Sequence, residues 1–425
     1  MTAIDSARLS ATISTSQESR FEPRHRWYTV KEGFSHELVT LALEIEGCQP
    51  GDLIIDPFCG SGTVPVAAVQ AGMNAAGSEV NPFLASAAFA KCLVSPSSSV
   101  KKWLGNARQG IARGTYSSLV GYSTFSRTRR TRGLFNQVIL KAFEGAWRQL
   151  ESSPEAPRKL LRLALMGAAI DCSNFSRDGK ALRYRKSRLE QAYGRDDFDR
   201  AFVTRASEII EDLRNDRPLV TAPWIVVGDS RDDLSDEKFS QFKLCITSPP
   251  YLNSFDYTDI YRPELFLGKF VRSTKDLQKI RLRTVRSHVQ ASWEAPRESD
   301  FGRIFTDCHG EISARRNELW DRRIPDMVQA YFEDMRKVLR RLHALAHVKA
   351  SLWLVVSTSA YAGIEVPVDL ILAEVGEQVG WRLREIHVLR RLRSSGQHRR
   401  AARNPDTESP LHPLRESLII FDSRA

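Results

Sequence analysis

The sequence predicts an α/β fold, with a mostly parallel sheet, helices on both faces, a largely helical insertion and a second, basic insertion. Two observations predict the fold. Short apolar segments typical of buried strands alternate with segments whose apolar residues recur at helical spacing. This alternation is also interrupted twice, over residues 95–215 and over residues 271–320, and both interruptions are rich in Arg and Lys.

The first elements alternate between helix and strand. Apolar residues at helical spacing predict a helix over 34–46, and a strand then enters the glycine-rich turn at 56–63. The helix after the turn ends at Gly72, since glycine commonly terminates helices. A second strand ends at Glu79, and a helix is predicted over 83–94.

The later elements complete the sheet. Two short apolar strands are expected before residue 250, followed by a helix near 256–270 and a long helix over 326–347. The last expected elements are a strand, a helix and two strands, over 351–359, 366–380, 381–389 and 416–422.

These boundaries predict the domain organisation. We expect a polar disordered tail (1–20), one α/β domain (21–94, 216–270 and 321–425), a helical insertion without clear strands (95–215) and an irregular basic insertion (271–320). Either insertion, or both, is a candidate for recognising a polyanion.

Composition narrows the classes of protein. The 425 residues carry 62 Lys and Arg against 51 Asp and Glu, a formal net charge of +11 that suits a polyanionic partner. The six cysteines form no CxxC pair and no cluster with histidine, so we expect neither a metal site nor disulfides. The N-terminus lacks the apolar core of a signal peptide, and no apolar run reaches the ~20 residues that cross a membrane. We therefore expect a cytoplasmic protein.

The first chemical motif is DPFCGSGT at residues 56–63. Glycines between a strand and a helix let the backbone approach a ligand closely, and the helix N-terminus offers free N–H groups. Pro65 replaces the third glycine of the dinucleotide fingerprint, so a dehydrogenase is the least favoured function. Asp56 before the turn suits the cationic amino-acid end of a sulfonium cofactor better than a phosphate. A plain structural turn is the alternative.

Two further carboxylates follow predicted strands. Glu79 can accept hydrogen bonds from both hydroxyls of a ribose, and a solvated acid at a strand end is the alternative. Asp229 can accept from an adenine amino group, and a cap for a following helix is the alternative.

The most specific motif is Thr247-Ser248-Pro249-Pro250-Tyr251, after the strand FKLCI. Prolines have no N–H to donate and hold the backbone extended, so their carbonyls remain available. The Ser248 hydroxyl and the Pro249 carbonyl can both accept from an –NH₂ group, which would turn the nitrogen lone pair towards a methyl donor. Tyr251 can stack on a base flipped out of a duplex.

Together these residues resemble the amino-methyltransferases of DNA modification systems, a family with a Rossmann-like sheet. In that family the glycine motif binds S-adenosylmethionine and an S/D/N-P-P-Y motif carries catalysis. The segment WYTVKEGFSHELV resembles an additional cofactor-binding segment of the family. The implied catalytic residues are Ser248, Pro249, Pro250 and Tyr251. The implied cofactor-binding residues are Phe34, Ser35, Asp56, Pro57, Phe58, Gly60, Gly62, Thr63, Glu79, Asn81, Asp229 and Thr247.

The resemblance implies methylation of a flipped base in double-stranded DNA, as in restriction–modification systems, where a cognate endonuclease is a further potential partner. Ser248 in the first motif position resembles the cytosine-N4 branch, whereas adenine-N6 enzymes usually carry Asp or Asn there. The sequence also allows an RNA base-amine methyltransferase or a non-catalytic nucleic-acid-binding protein. The family usually keeps its second and third strands close, and the long insertion here leaves the region that recognises DNA open.

Basic runs in the insertions and near the C-terminus suit contacts with phosphates. They are RTRRTRG (127–133), ALRYRKSR (181–188), KIRLRTVRSH (279–288) and RRLRSSGQHRRAAR (390–403).

Overall fold

The computed structural model describes residues 13–31, 33–122, 125, 133–178, 181–185, 193–215, 219, 221–234, 237–392 and 414–423. Its strands are β1 (Leu53–Asp56), β2 (Asn74–Glu79), β3 (Phe175–Asp178), β4 (Ala181–Tyr184), β5 (Trp224–Val227), β6 (Phe242–Thr247), β7 (Ala346–Ser357), β8 (Ser359–Tyr361), β9 (Ile364–Val366), β10 (Arg382–Arg391) and β11 (Arg415–Asp422).

Seven of these strands form one sheet in the order β10–β11–β7–β6–β1–β2–β5. The five strands from β7 to β5 run parallel, and β11 lies antiparallel to both β7 and β10. The prediction of a mostly parallel sheet is confirmed. Because β1 lies between β6 and β2, the turns that follow these three strands are neighbours at one edge of the sheet.

The α-helices, in chain order, are α1 (His36–Ile45), α2 (Thr63–Gln70), α3 (Pro82–Lys91), α4 (Ser97–Arg113), α5 (Gln137–Gln149), α6 (Glu155–Asp171), α7 (Arg195–Asn215), α8 (Tyr257–Ile260), α9 (Arg262–Leu267), α10 (Thr274–Leu282), α11 (Arg303–Ala314), α12 (Ile324–Leu345) and α13 (Val368–Gln378). Short 3₁₀ helices cover Glu18–Phe21, His25–Trp27, Leu150–Ser152, Glu237–Phe239 and Arg316–Glu318.

Both faces of the sheet are buried. Successive strand residues point to opposite faces, so Leu244 and Trp353 pack with α1 and α2, whereas Cys245 and Leu352 pack with α11, α12 and α13. This arrangement explains why the central strands are continuous apolar runs without polar alternation. It confirms helices on both faces.

The helices α4 to α7 fall within residues 95–215, where helical periodicity predicted them. They share a third apolar core with α3 and α9 of the sheet domain. The expectation that this insertion lacks strands is wrong, because β3 and β4 form an antiparallel hairpin with Phe175 opposite Tyr184. The segments FSRD and ALRY lack the continuous apolar run that indicated the equally short strands β1 and β5.

Two other segments differ from the sequence-based expectations. Residues 13–20 are not a disordered tail: Ile13 is buried, and its carbonyl accepts a hydrogen bond from the Ser35 N–H at 2.9 Å. Residues 1–12 lie outside the described residues. The basic stretch 271–320 is not irregular throughout, since α10 and α11 lie in it.

No helix in the described ranges is long and apolar enough to span a membrane. Within those ranges no group of three or more His, Cys, Asp or Glu side chains is arranged to hold a metal ion. All six cysteines are buried free thiols.

The helices α4 and α5 cross so closely that Gly110 has no room for a side chain. A Cβ at Gly110 would lie 2.4 Å from the Gly145 carbonyl oxygen. We predict that Gly110→Ala lowers the free energy of unfolding by about 1–3 kcal/mol, as overpacking does, with a matching fall in melting temperature. Gly105→Ala in the same helix meets nothing within 4 Å and should stabilise by about 0.5–1 kcal/mol. Equal melting temperatures for the two variants would contradict this close crossing.

Candidate active site

Hydrogen bonds join the ends of neighbouring strands at the carboxyl edge of the sheet. The Thr247 hydroxyl, at the end of β6, donates to the Asp56 carboxylate, at the end of β1, over 2.6 Å. The Gly228 N–H, just after β5, donates to the Glu79 carbonyl at the end of β2 over 3.1 Å. Four parallel strands thus present their terminal turns at this edge in fixed relation.

A cavity of about 350 Å³ opens at this edge, a volume within the usual range of ligand pockets. It is lined by residues of both sequence motifs. Nine of the residues implied by the resemblance line it: Phe58, Gly60, Glu79, Asn81, Asp229, Ser248, Pro249, Pro250 and Tyr251. The glycine turn and the Ser-Pro-Pro-Tyr loop therefore face one common space.

The two glycines of the turn have different surroundings. Gly60 has a φ of +51°, and a Cβ there would meet nothing within 4 Å. Gly62 has a φ of +92°, and its Cβ would lie 2.7 Å from the Ala88 Cβ. Gly60 thus leaves the cavity open, whereas Gly62 allows α2 to pack against α3.

Glu79 is held by the backbone of its surroundings. One carboxylate oxygen accepts from the Gly60 N–H at 2.9 Å, and the other accepts from the Asn81 N–H at 2.8 Å. A carboxylate offers about four acceptor positions, so roughly two remain for a ligand. Burial raises the pKa of Glu79 to about 7, against the opposing effect of these two hydrogen bonds.

Asn81 caps α3 and leaves one donor over. Its side-chain oxygen accepts from the Phe83 N–H at 3.0 Å. Its amide nitrogen Nδ2 is buried and has no hydrogen-bond partner among the described residues, although Asn81 lines the cavity. A buried donor without an acceptor is costly, which fits a site completed by a polar ligand.

Asp56 and Thr247 lie behind the cavity wall. Asp56 is 3% exposed, and it also accepts from the Phe58 N–H at 2.9 Å. Burial raises its pKa to about 7, while the hydrogen bonds from Thr247 and Phe58 oppose that rise. In this structure, Asp56 acts on the site by holding the turn and the neighbouring strand end.

Asp229 lines the cavity and is also bound to Arg231. The guanidinium donates to both carboxylate oxygens, with an Nη2–Oδ2 distance of 2.6 Å, and the Arg231 N–H donates at 3.0 Å. A second branch of Arg231 reaches the Asp334 carboxylate in α12 at 2.9 Å. Residues 230–234 form turns and a bend, so Asp229 does not cap a helix here.

The Ser-Pro-Pro-Tyr loop is anchored to the antiparallel edge of the sheet. The Ser248 hydroxyl lies 3.4 Å from the Tyr251 hydroxyl, which donates to Glu416 Oε1 at 2.7 Å. Arg390 Nε donates to Glu416 Oε2 at 2.7 Å. Burial, reinforced by the Glu416 charge, raises the pKa of Tyr251 well above its ordinary value, so the phenol stays protonated.

Sequence reasoning missed Glu416 as a site residue. Its signal is a single acid at the start of the apolar strand β11, placed opposite Arg390 in the register of β10 and β11. Arg390 begins the basic run 390–403, but it lies in β10, pairs with Glu416 and lines the cavity. The rest of that run from residue 393 lies outside the described residues, as do residues 127–132 and 186–188.

Several implied cofactor residues do not line the cavity. Ser35 is fully buried and caps α1 by accepting from the Glu37 N–H at 3.2 Å, and Phe34 packs in the core beside it. Val30, Lys31 and Gly33 of the same segment line the cavity instead. The cavity lining also lacks five other implied cofactor residues, which are Asp56, Pro57, Gly62, Thr63 and Thr247.

The basic run 279–288 is mostly engaged within the protein. Arg286 is 6% exposed and binds the Asp334 carboxylate at 2.7 Å. His288 is buried, and burial lowers its pKa to about 4. The expectation that these two side chains contact phosphates is therefore wrong, whereas Arg283 and Lys279 are exposed, and Arg283 lines the cavity.

Comparisons with known proteins agree with this geometry. A family model described as DNA methylase, N6_N4_Mtase, matches residues 21–90. The Type II methyltransferase M.AvaI of Nostoc sp. is 26% identical over 406 residues, covering 90% of this chain and 84% of the relative. M.BsoBI of Geobacillus stearothermophilus, also a Type II methyltransferase, is 24% identical, and the match covers 96% of this chain and 87% of the relative. The solved structure of the rRNA methyltransferase aviRa of Streptomyces viridochromogenes is 10% identical in sequence. The alignment covers 99% of this chain and 94% of the aviRa chain, with a TM-score of 0.31.

The region matched by the family model contains the whole glycine turn and Glu79. In the structure these residues share a cavity with the Ser-Pro-Pro-Tyr loop, which lies outside the matched region. The two relatives extend the similarity over nearly the full chain, including that loop's part of the sheet domain. The family model and both relatives therefore support the amino-methyltransferase family of DNA modification enzymes for this chain, and with it S-adenosylmethionine as the cofactor.

Proposed function

We propose that this chain methylates the exocyclic N4 amine of a cytosine flipped out of double-stranded DNA. The observation that carries the proposal is the single cavity shared by Gly60 and Glu79 on one side and by Ser248 and Tyr251 on the other. Flipping is required because the target amine is inaccessible inside a duplex. S-adenosylmethionine, when bound, supplies an electrophilic methyl group.

Residues at the ends of β1, β2 and β5 would hold the cofactor. The free acceptor positions of Glu79 suit the two ribose hydroxyls, and the unpaired amide of Asn81 can donate to the same end of the ligand. Asp229 would accept a hydrogen bond from the adenine amino group, using the lone pairs of its carboxylate that are not bonded to Arg231. Phe58 and Gly60 would border the methionine end, supported from behind by Asp56.

Ser248 and Pro249 would orient the target amine. Both lie at the carboxyl end of β6 on the cavity wall. The Pro249 carbonyl and a lone pair of the Ser248 hydroxyl can each accept a hydrogen bond from the amine. Tyr251 lines the same wall together with Phe255 and Tyr257. These aromatic side chains supply flat apolar surface on which an unstacked base can rest.

The preference for cytosine N4 rests on Ser248. Its position corresponds to the first residue of the S/D/N-P-P-Y motif, where serine resembles the cytosine branch. Incubation with labelled cofactor and DNA, followed by nucleoside mass spectrometry, tests the assignment. We expect N4-methylcytosine. Label on adenine N6 or only on RNA would replace the proposed substrate, and no transfer would favour a non-catalytic binding protein.

The net charge of +11 supports double-stranded DNA as the partner, because phosphate contacts by Lys and Arg dominate its affinity. The Type II designation of M.AvaI and M.BsoBI supports a place in a restriction–modification system, with an endonuclease of the same sequence specificity. The helical insertion (95–215) and the basic insertion (271–320) remain our candidates for DNA recognition. In the second of them, the exposed basic side chains of α10 and its C-cap are Lys275, Lys279 and Arg283.

Ser248→Ala should reduce kcat for methyl transfer about 100-fold, because the amine loses one of the two acceptors that orient it. The affinity for S-adenosylmethionine should stay within about threefold, since the cofactor residues are untouched. Single-turnover transfer and isothermal titration calorimetry measure the two quantities. Thr40→Ala on the exposed surface of α1, outside both insertions, is the control and should behave like the unmodified chain. Full activity of Ser248→Ala would refute its catalytic assignment.

Lowering the pH from 8 to 6 should weaken S-adenosylmethionine binding about tenfold. With a pKa of about 7, Glu79 takes up a proton over this interval and loses acceptor capacity and charge. The folding stability of the chain without cofactor should change with pH in the opposite direction. Its folded state binds this proton more tightly than the unfolded chain, so stability falls as the pH rises from about 4.5 to 7.

Calorimetric titrations at several pH values measure this dependence. Glu79→Gln cannot ionise and should bind more weakly at pH 8 with little change down to pH 6. An equally steep pH dependence in Glu79→Gln would assign it to another group.

A further inference from the structure

Four side chains form a chain of hydrogen bonds from β10 to the catalytic loop. Arg390 donates to Glu416, which accepts from Tyr251, whose oxygen lies 3.4 Å from the Ser248 hydroxyl. Glu416 is 2% exposed, so little solvent competes for its oxygens. All four side chains line the cavity.

The chemistry of each group fixes the direction of these bonds. A guanidinium can only donate and an ionised carboxylate can only accept, so Tyr251 must donate its one hydrogen to Glu416. The Tyr251 oxygen can then only accept from Ser248. The Ser248 hydrogen is used in that bond, and the lone pairs of its oxygen are left for the ligand.

We propose that Glu416, held by Arg390, sets the hydrogen-bond polarity of Ser248, so that this hydroxyl presents an acceptor to the target base. The inference rests on the proposed function of Ser248 and deepens it. An exocyclic amine carries two N–H donors and matches this acceptor, whereas the carbonyl oxygen at the same position of uracil or thymine does not. Glu416 is thus a positioning residue that contributes to the choice of an amine.

The longest hydrogen bond in this chain of contacts joins Ser248 and Tyr251. Its length of 3.4 Å exceeds the usual 2.5–3.0 Å of O–H···O bonds. Hydrogen bonds of catalytic groups are often long without substrate and shorten when it binds. The direction of this bond does not depend on its length, because Tyr251 has already given its only hydrogen to Glu416 and can only accept from Ser248.

Glu416→Gln tests the proposal because it keeps the shape of the side chain, removes its charge and adds two N–H donors. The amide oxygen will face the charged Arg390, and the –NH₂ group will then face the Tyr251 oxygen. Tyr251 must accept there and donate to Ser248, which turns the Ser248 hydrogen towards the amine. We expect kcat to fall roughly 10- to 100-fold, with the affinity for S-adenosylmethionine within about threefold.

A double-mutant cycle separates polarity from simple structural support. Tyr251→Phe keeps the ring but cuts the chain, so adding Glu416→Gln to Tyr251→Phe should lower kcat less than about twofold further. A structural ion pair would instead cost the same factor in both backgrounds. Equal costs, or full activity of Glu416→Gln alone, would overturn the proposal.

Asp422→Asn is the matched control. Asp422 lies in the same strand β11 and pairs with Arg382 of β10 at 2.6 Å, far along the strands from the cavity. It should keep kcat within about twofold. If Glu416→Gln melts at a much lower temperature than Asp422→Asn, Tyr251→Phe alone decides: it must lower kcat without changing cofactor affinity, and unchanged kcat overturns the proposal.

The unmodified chain reports separately on the proposed function. Methyl label on adenine N6 would change the substrate but leave the polarity test valid, because that group is also an exocyclic amine. An active chain in which Glu416→Gln costs the same factor in both backgrounds would reject the role of Glu416 alone.

Discussion

One buried hydrogen bond holds the two halves of the site together. The Thr247 hydroxyl donates to the Asp56 carboxylate over 2.6 Å, and these residues end the adjacent strands β6 and β1. Both side chains are almost completely buried, so the bond is shielded from water and its loss would leave a polar group unpaired. Since Thr247 begins the loop that contains Ser248, and Asp56 begins the glycine turn, this contact sets the spacing between the two walls of the cavity.

The charges around the cavity are balanced unequally. Asp229 and Glu416 each have an arginine partner, Arg231 and Arg390. Glu79 and Asp56 have no cationic partner among the described residues, and burial raises the pKa of each to about 7. Two carboxyl groups without a cationic partner favour a positively charged ligand beside them, because such a ligand relieves the cost of ionising them. A sulfonium cofactor meets that requirement at the side of the cavity where Glu79 lies.

Residues that act through type and spacing could be predicted from the sequence, and residues that act through long-range packing could not. Ser248 to Tyr251 and Gly60 were recognisable because a glycine turn and consecutive prolines constrain the backbone locally. Ser35 was expected to contact the cofactor but caps α1 in the structure, and the sequence does not separate these roles because both use the same hydroxyl. Glu416 was missed because 165 positions separate it from Tyr251, and only the pairing of β11 with β7 brings it to the loop.

The helical insertion, our candidate for DNA recognition, packs behind the cavity wall, although none of its described residues lines the cavity itself. Arg177 in β3 forms an ion pair with the fully buried Glu264 in α9, and its guanidinium lies 4.8 Å from the ring centre of Tyr261, which lines the cavity. The Tyr28 hydroxyl donates to the same Glu264. These contacts connect the hairpin to the wall on which a flipped base would rest. A contact with DNA that displaces the hairpin would therefore reach Tyr261 directly through the guanidinium of Arg177, which gives recognition a short physical route to the cavity.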